Sequence, residues 1–175
     1  MDAFKVPRES MRYINQMLLR ELSAIVGEEC WGVVGGEGTG SVILLHIGAR
    51  TLRRRPVKNP HLSDLVRRYD SAYSLRIMCP WRIDSPSEVV SGSHMPNAND
   101  GPMVRGLESI CGQNITSVIC SGPAFDLTIR LKNQHALVIH CASIDWDYDT
   151  CYSFGAPAGY YRVALEGKVS FQANE

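Results

Sequence analysis

Asp126-Leu127-Thr128-Ile129-Arg130-Leu131-Lys132 alternates polar and apolar side chains residue by residue. Successive side chains of a strand point to opposite faces, so Leu127, Ile129 and Leu131 form a buried face and Thr128, Arg130 and Lys132 a wet one. Alternation of this kind belongs to antiparallel sheets that keep one side in water. The reading places a strand over Phe125 to Leu131, and Lys132-Asn133-Gln134-His135 marks the turn after it. A further strand is predicted over Ala136 to Ile144 and an earlier one over Ile115 to Cys120. Upstream, Met103, Leu107 and Ile110 recur at helical spacing, and Gly112 supplies the left-handed residue that helix ends prefer.

The same order of signals occurs earlier in the chain. At an offset of 85 residues Leu22 lies over Leu107, Ile25 over Ile110, Gly27 over Gly112 and Val33 over Val118. The same offset sets Val42, Leu44 and His46 over Leu127, Ile129 and Leu131. Further on the offset falls to 62, where Leu75, Ile77 and Cys79 meet Leu137, Ile139 and Cys141. Met11, Ile14, Leu18, Leu22 and Ile25 form one helical face, with Ser10 as its expected cap. Strands are predicted over Cys30 to Val34, Ser41 to Ile47 and Tyr73 to Ile83. The reading is therefore α+β: two repeated helix-plus-antiparallel-meander units forming one mainly antiparallel sheet or partly closed barrel. The expected single domain spans residues 1–175. Its first copy covers about 10–84, with an insertion at about 49–72, and its second about 100–146. A hairpin at about 160–172 closes the chain, turning at Glu166-Gly167-Lys168.

A chain of 175 residues can build a core without metal or disulfide staples. Eighteen basic residues balance eighteen acidic ones, which argues against a basic coat for nucleic acid. The longest apolar run, Val42-Ile43-Leu44-Leu45, stops at His46, far short of a membrane span. The first residues, Met1-Asp2-Ala3-Phe4, lack the features of a signal peptide, so a cytoplasmic location is expected. Cys30, Cys79, Cys111, Cys120, Cys141 and Cys151 contain no CxxC pair. They read as reduced, small apolar residues, with no metal site and no cofactor expected. His140 and Cys141 are adjacent, but on a strand they point apart.

No motif fixes a reaction. Gly35-Gly36-Glu37-Gly38-Thr39-Gly40 is followed by a strand and carries no Lys, so it is a hairpin loop and not a phosphate cradle. Arg50, Arg53, Arg54, Arg55 and Lys58 lead into Leu62, Leu65, Val66 and Tyr69, a solvated loop followed by a short packing helix. Ser93 and His94 lack a nucleophile elbow. Asp145-Trp146-Asp147-Tyr148-Asp149 is the sharpest local signal. On a strand its three carboxylates share one face and its two aromatics the other. It departs from a calcium loop at Thr150 and Ala156. These five residues are the candidate partner-binding patch, since aromatics concentrate at interface hot spots. A plain exposed loop is the competing account.

Leu75-Arg76-Ile77, Trp81-Arg82-Ile83, Val89-Val90-Ser91-Gly92-Ser93, Leu107 to Gly112 and Asp126-Leu127 form, in that order, a resemblance. The chain is similar over roughly residues 75–145 to a group of small bacterial proteins, some of them immunity proteins of polymorphic or contact-dependent toxin systems. The resemblance implies an inhibitor, carries over no catalytic residue and gives no account of the arginine-rich insertion. The leading expectation is a non-enzymatic cytosolic protein-binding module, an immunity protein neutralising a cognate toxin, with a protein partner and no membrane or nucleic acid. Two alternatives stand beside it. One is a homodimeric ligand-binding or structural module. The other is a small enzyme with a cleft between the repeats, using His140, Asp145 and Ser93.

Overall fold

The computed structural model describes residues 8–142 and 149–174. Helix α1 (Arg8–Ala24) buries Leu18 and Leu22, with Ile25 just past its end. Ser10 lies inside the helix and not at its cap. Gly27, at φ 93°, turns the chain so that its N–H reaches the Ile115 carbonyl at 2.8 Å. Strands β1 (Glu29–Gly36) and β2 (Gly40–Leu52) form a hairpin across the glycine-rich loop, and no helix follows it.

The remaining elements are α2 (Asp64–Arg68), β3 (Tyr69–Ile77), β4 (Trp81–Asp84), β5 (Val89–Gly92), α3 (Pro102–Ile110), β6 (Gln113–Ser121), β7 (Asp126–Leu131), β8 (Ala136–Ile139), β9 (Thr150–Ala156), β10 (Gly159–Ala164) and β11 (Val169–Ala173). Among the described residues eleven strands make one sheet in the order β11-β10-β9-β3-β2-β1-β6-β7-β8-β4-β5. Every neighbouring pair is antiparallel. The ladder ends at β11 and β5, so the sheet is open and the barrel alternative is corrected.

The centre of the sheet is the short pairing of β1 with β6, Glu29 opposite Asn114 and Cys30 opposite Gln113. Two backbone bonds flank it: Gly27 N–H to the Ile115 carbonyl (2.8 Å) and Gly112 N–H to the Cys30 carbonyl (2.7 Å). From this centre the chain steps outward through β2 and β3 on one side and through β7 and β8 on the other. Each branch then crosses over. β4 leaves β3 yet pairs with β8, and β9 comes after β8 in the chain yet pairs with β3. The crossings are clamped by Met78 N–H to the Cys151 carbonyl (2.8 Å) and His140 N–H to the Pro80 carbonyl (2.9 Å). The single strand expected over Tyr73 to Ile83 is therefore two, broken at Met78-Cys79-Pro80. Pro80 has no N–H to offer a ladder, and the sheet changes neighbours there.

Three other sequence readings shift. In β2 the residues in the core are Ile43, Leu45 and Ile47, while His46 is buried on the opposite face, so the overlay on Leu127, Ile129 and Leu131 moves by one residue. Val34 pairs with Leu44 but Ile119 with Thr128, so the first hairpin is one residue longer. The two ends of the expected insertion are strand: β2 and β3 continue as a hairpin to Leu52 opposite Tyr69. Only residues 53–68 cap it, with α2 started by the Ser63 hydroxyl accepting the Val66 N–H at 3.3 Å. Finally, β9 is a strand that no local spacing marks, and Tyr152 and Phe154 lie fully buried in it.

One continuous core takes residues from both branches: Leu18, Leu22 and Ile25 from the first helix, Met103, Leu107 and Ile110 from the third, and the inward faces of the strands. Removing each such large side chain from water contributes about 1.5–3 kcal/mol.

Candidate functional site

Two places concentrate polar chemistry. The first lies where the two crossings meet. Cys79 follows β3, Cys141 follows β8 and Cys151 opens β9, and the three Sγ atoms lie within 4.8 Å of one another. Cys79 and Cys151 are buried and Cys141 is half-exposed. The turn between β6 and β7 positions Cys141: Asp126 Oδ1 accepts its N–H at 2.7 Å, and the Phe125 carbonyl accepts its thiol at 3.5 Å. The same carbonyl accepts the buried Tyr152 hydroxyl at 3.1 Å. Hydrogen bonds from the Cys141 and then the Cys79 thiol pull the Cys151 pKa down to about 4, against burial. Cys141, beside the Cys151 and Cys79 sulfurs and partly buried, is pushed well up. Cys79 is lowered by Cys141 but raised by Cys151 and burial, to about 12.

The second place is the face of β4, β8, β7 and β6 turned away from the core. It forms an open trough of about 790 Å³ lined by Arg82, Asp84, Thr116, Thr128, Arg130 and Lys132. Arg82 pairs with Asp84 at 2.9 Å and its guanidinium contacts His140 Nε2 at 3.4 Å. Arg130 and Lys132 make no ion pair among the described residues and are exposed. The corresponding face of β1 and β2 is covered by residues 53–68 at its Gly32 and His46 end, while Val34, Val42, Leu44 and Arg76 line a smaller open recess beyond that cover. Val66 is buried against the covered end, and a Cβ at Gly32 would come within 3.1 Å of Val66 Cγ2. Trp31 stacks on His46 there with ring centroids 5.1 Å apart, and Arg50 covers the Trp31 ring at 5.3 Å while pairing with Glu29 at 3.1 Å. Arg53 pairs with Asp70 at 2.6 Å, and Arg67 donates to the Val57 carbonyl at 3.1 Å. Several of the insertion's arginines are thus engaged in holding this cover.

Of the predicted partner patch, Asp145, Trp146, Asp147 and Tyr148 lie outside the described residues. Asp149 is exposed, pairs with Arg162 at 2.7 Å and accepts the Thr150 hydroxyl at 3.1 Å. Thr150 and then Arg162 hold its carboxyl below the usual carboxylate range. Asp145, offered for an enzyme, lies outside the description too. Ser93 accepts the Trp81 N–H at 3.2 Å, and no hydrogen bond joins it to His94 or His140 among the described residues. Sequence reasoning passed over the three cysteines because they stand 62 and 10 residues apart, outside any short metal motif. The signal was nevertheless present, since the 62-residue offset lays Cys79 on Cys141.

No family model, no curated protein and no solved structure matches the chain. Among the described residues, no helix is long and apolar enough to cross a membrane.

Proposed function

We propose that this is a protein-binding module that works by occupying a partner's surface, as an immunity protein occupies its toxin. The observation that carries the reading is the contrast between the two outward faces: one is partly covered by its own insertion and leaves a smaller recess with Arg76 as its one charged residue, the other is a larger open trough with Arg82, Arg130 and Lys132. Small-molecule pockets are enclosed and mostly apolar. A wide trough of Arg82, Arg130, Lys132 and threonines suits an acidic protein surface instead. Arginine is enriched at interface hot spots, and complementary charge steers association.

The two branches are, on the same reading, copies of one helix-and-meander unit with their terminal hairpins exchanged. What supports this is the strand order, which reads alike from β1 and from β6 outward once β11 is set aside. The flanking bonds repeat too. The 85-residue offset sets Gly27 on Gly112 and Cys30 on Ile115, so the bond from Gly27 to Ile115 becomes the bond from Gly112 to Cys30 when the copies are exchanged, and the clamps at Met78 and His140 sit at equivalent places. Both central strands carry a bulge at the same step, Cys30/Gly32 and Ile115/Ser117.

The test is capture from lysate of the native host with the wild-type protein and with Arg130→Glu/Lys132→Glu, followed by co-expression with the captured partner. The expected result is a stoichiometric, growth-inhibiting partner whose toxicity the wild type suppresses. The double variant should bind at least tenfold more weakly, and wild-type binding should weaken with added salt. Asp147→Lys/Asp149→Lys should leave binding unchanged, and loss there alone would move the contact to the acidic segment. Capture of nothing at native expression overturns the reading.

A further inference from the structure

We propose that Cys79, Cys141 and Cys151 form a binding site for a thiophilic d10 metal cation, Zn²⁺ or Cu⁺, that staples the two crossings of the chain. The three sulfurs come from three separate segments and converge within 4.8 Å. A metal–sulfur bond of about 2.3 Å requires sulfurs about 3.8–4.0 Å apart. Side-chain rotation of a fraction of an ångström to about 1 Å therefore closes the triangle, with no movement of the ladder. Three thiolates select soft cations over calcium or magnesium, which take oxygen.

The surroundings supply what such a site needs besides its ligands. The backbone at each crossing is held by Met78 N–H on the Cys151 carbonyl and His140 N–H on the Pro80 carbonyl. Asp126 fixes Cys141 through the backbone, the kind of outer support that orients metal ligands. Two ligands are buried, and half-exposed Cys141 gives the cation its way in and leaves room for a water as fourth ligand on Zn²⁺. Binding replaces S–H bonds by metal–sulfur bonds, and the displaced protons go to bulk water. No oxidation is involved. The remaining cysteines differ: Cys30 is buried elsewhere in β1, Cys111 is exposed, and Cys120 is half-buried on β6.

The experiment uses the full chain, reduced, stripped with a chelator and shown by thiol counting in denaturant to carry all six free thiols. Titration with Zn²⁺, with Co²⁺ as its spectroscopic probe, and anaerobically with Cu⁺ is then followed by absorbance, proton release and melting temperature. The expected result is one cation per chain, thiolate-to-metal charge transfer and a rise in melting temperature with metal concentration. Cys141→Ser should weaken binding at least a hundredfold, and Cys111→Ser should leave it unchanged. If Cys141→Ser is less stable as apo-protein, Cys141→Ala carries the same expectation without a buried hydroxyl. Absence of micromolar binding to the reduced wild type, or equal binding to the Cys141 variants, overturns the proposal.

Discussion

His46 stacks on Trp31, with Nδ1 sharing a hydrogen bond with the Ser71 hydroxyl at 3.2 Å and Nε2 buried without a partner among the described residues. Burial lowers its pKa first, the Arg53 guanidinium adds to the effect, and Asp70 opposes it. A histidine whose folded pKa lies below its unfolded value, about 6.5, takes up its proton more readily in the unfolded chain. Its contribution is therefore full above about pH 6.5. It is lost as pH falls through that value toward the lower folded one. One such proton can change stability by at most about 1.4 kcal/mol per pH unit. The expected outcome is a melting temperature that falls from pH 7 to pH 5 in the wild type and falls less steeply in His46→Gln. Equal slopes in the two proteins would place the acid sensitivity in other groups.

At the scale of elements, α3 is set on β5 by an approach that only glycine permits. A Cβ on Gly106 would lie 2.0 Å from the Ser91 Cβ and 2.6 Å from its Oγ, and the Ser91 hydroxyl itself bonds the Met103 carbonyl at 3.3 Å. Alanine is the better helix former by about 1 kcal/mol, yet overpacking costs about 1–3 kcal/mol. Gly106→Ala is expected to lower the melting temperature by a few degrees, and Ser91→Gly in the same chain to restore it. Additive effects in this double-mutant cycle would show that the helix shifts to accommodate the methyl. Local signals of this kind explain which elements could be read in advance. The face of α1, the stops at Gly27 and Gly112, and the alternation in β7 each follow from spacing within a few residues. The break at Cys79-Pro80, the continuation of β2 past Gly48 and the strand β9 do not, because each is decided by which distant strand lies alongside. The basic trough is legible in part: Arg130 and Lys132 show as the wet side of β7, but Arg82 comes from β4 and joins them only through the sheet. The three cysteines too meet only through the sheet, and their shared place shows in the chain only as a coincidence of offset.

The whole molecule is interlocked. β4 and β5, which belong to the first half of the sequence, find their ladder partner β8 in the second, while β9, β10 and β11 complete the edge of β3 in the first. Neither half can therefore satisfy its own strands: cutting the chain leaves β3 and β8 each with an unpaired edge and each hairpin with no strand to join. Unpaired edges of this kind recruit whatever strand is at hand. If the halves are copies of one unit, a second molecule of the same half offers the missing surface in the same geometry, and exchange of the hairpin between two identical halves closes both edges. Splitting the chain between β5 and α3, as residues 1–98 and 99–175, tests this directly. Mixed in equal amounts, the fragments are expected to regain the strand-rich circular dichroism of the intact chain and to elute as a one-to-one complex. Residues 1–98 alone are expected to be either unfolded or a homodimer. A folded monomer of that fragment at low concentration, shown by mass and by protected amides, would mean that β4 and β5 can fold back onto β3. The crossing would then be a property of the intact chain and not a requirement of either half.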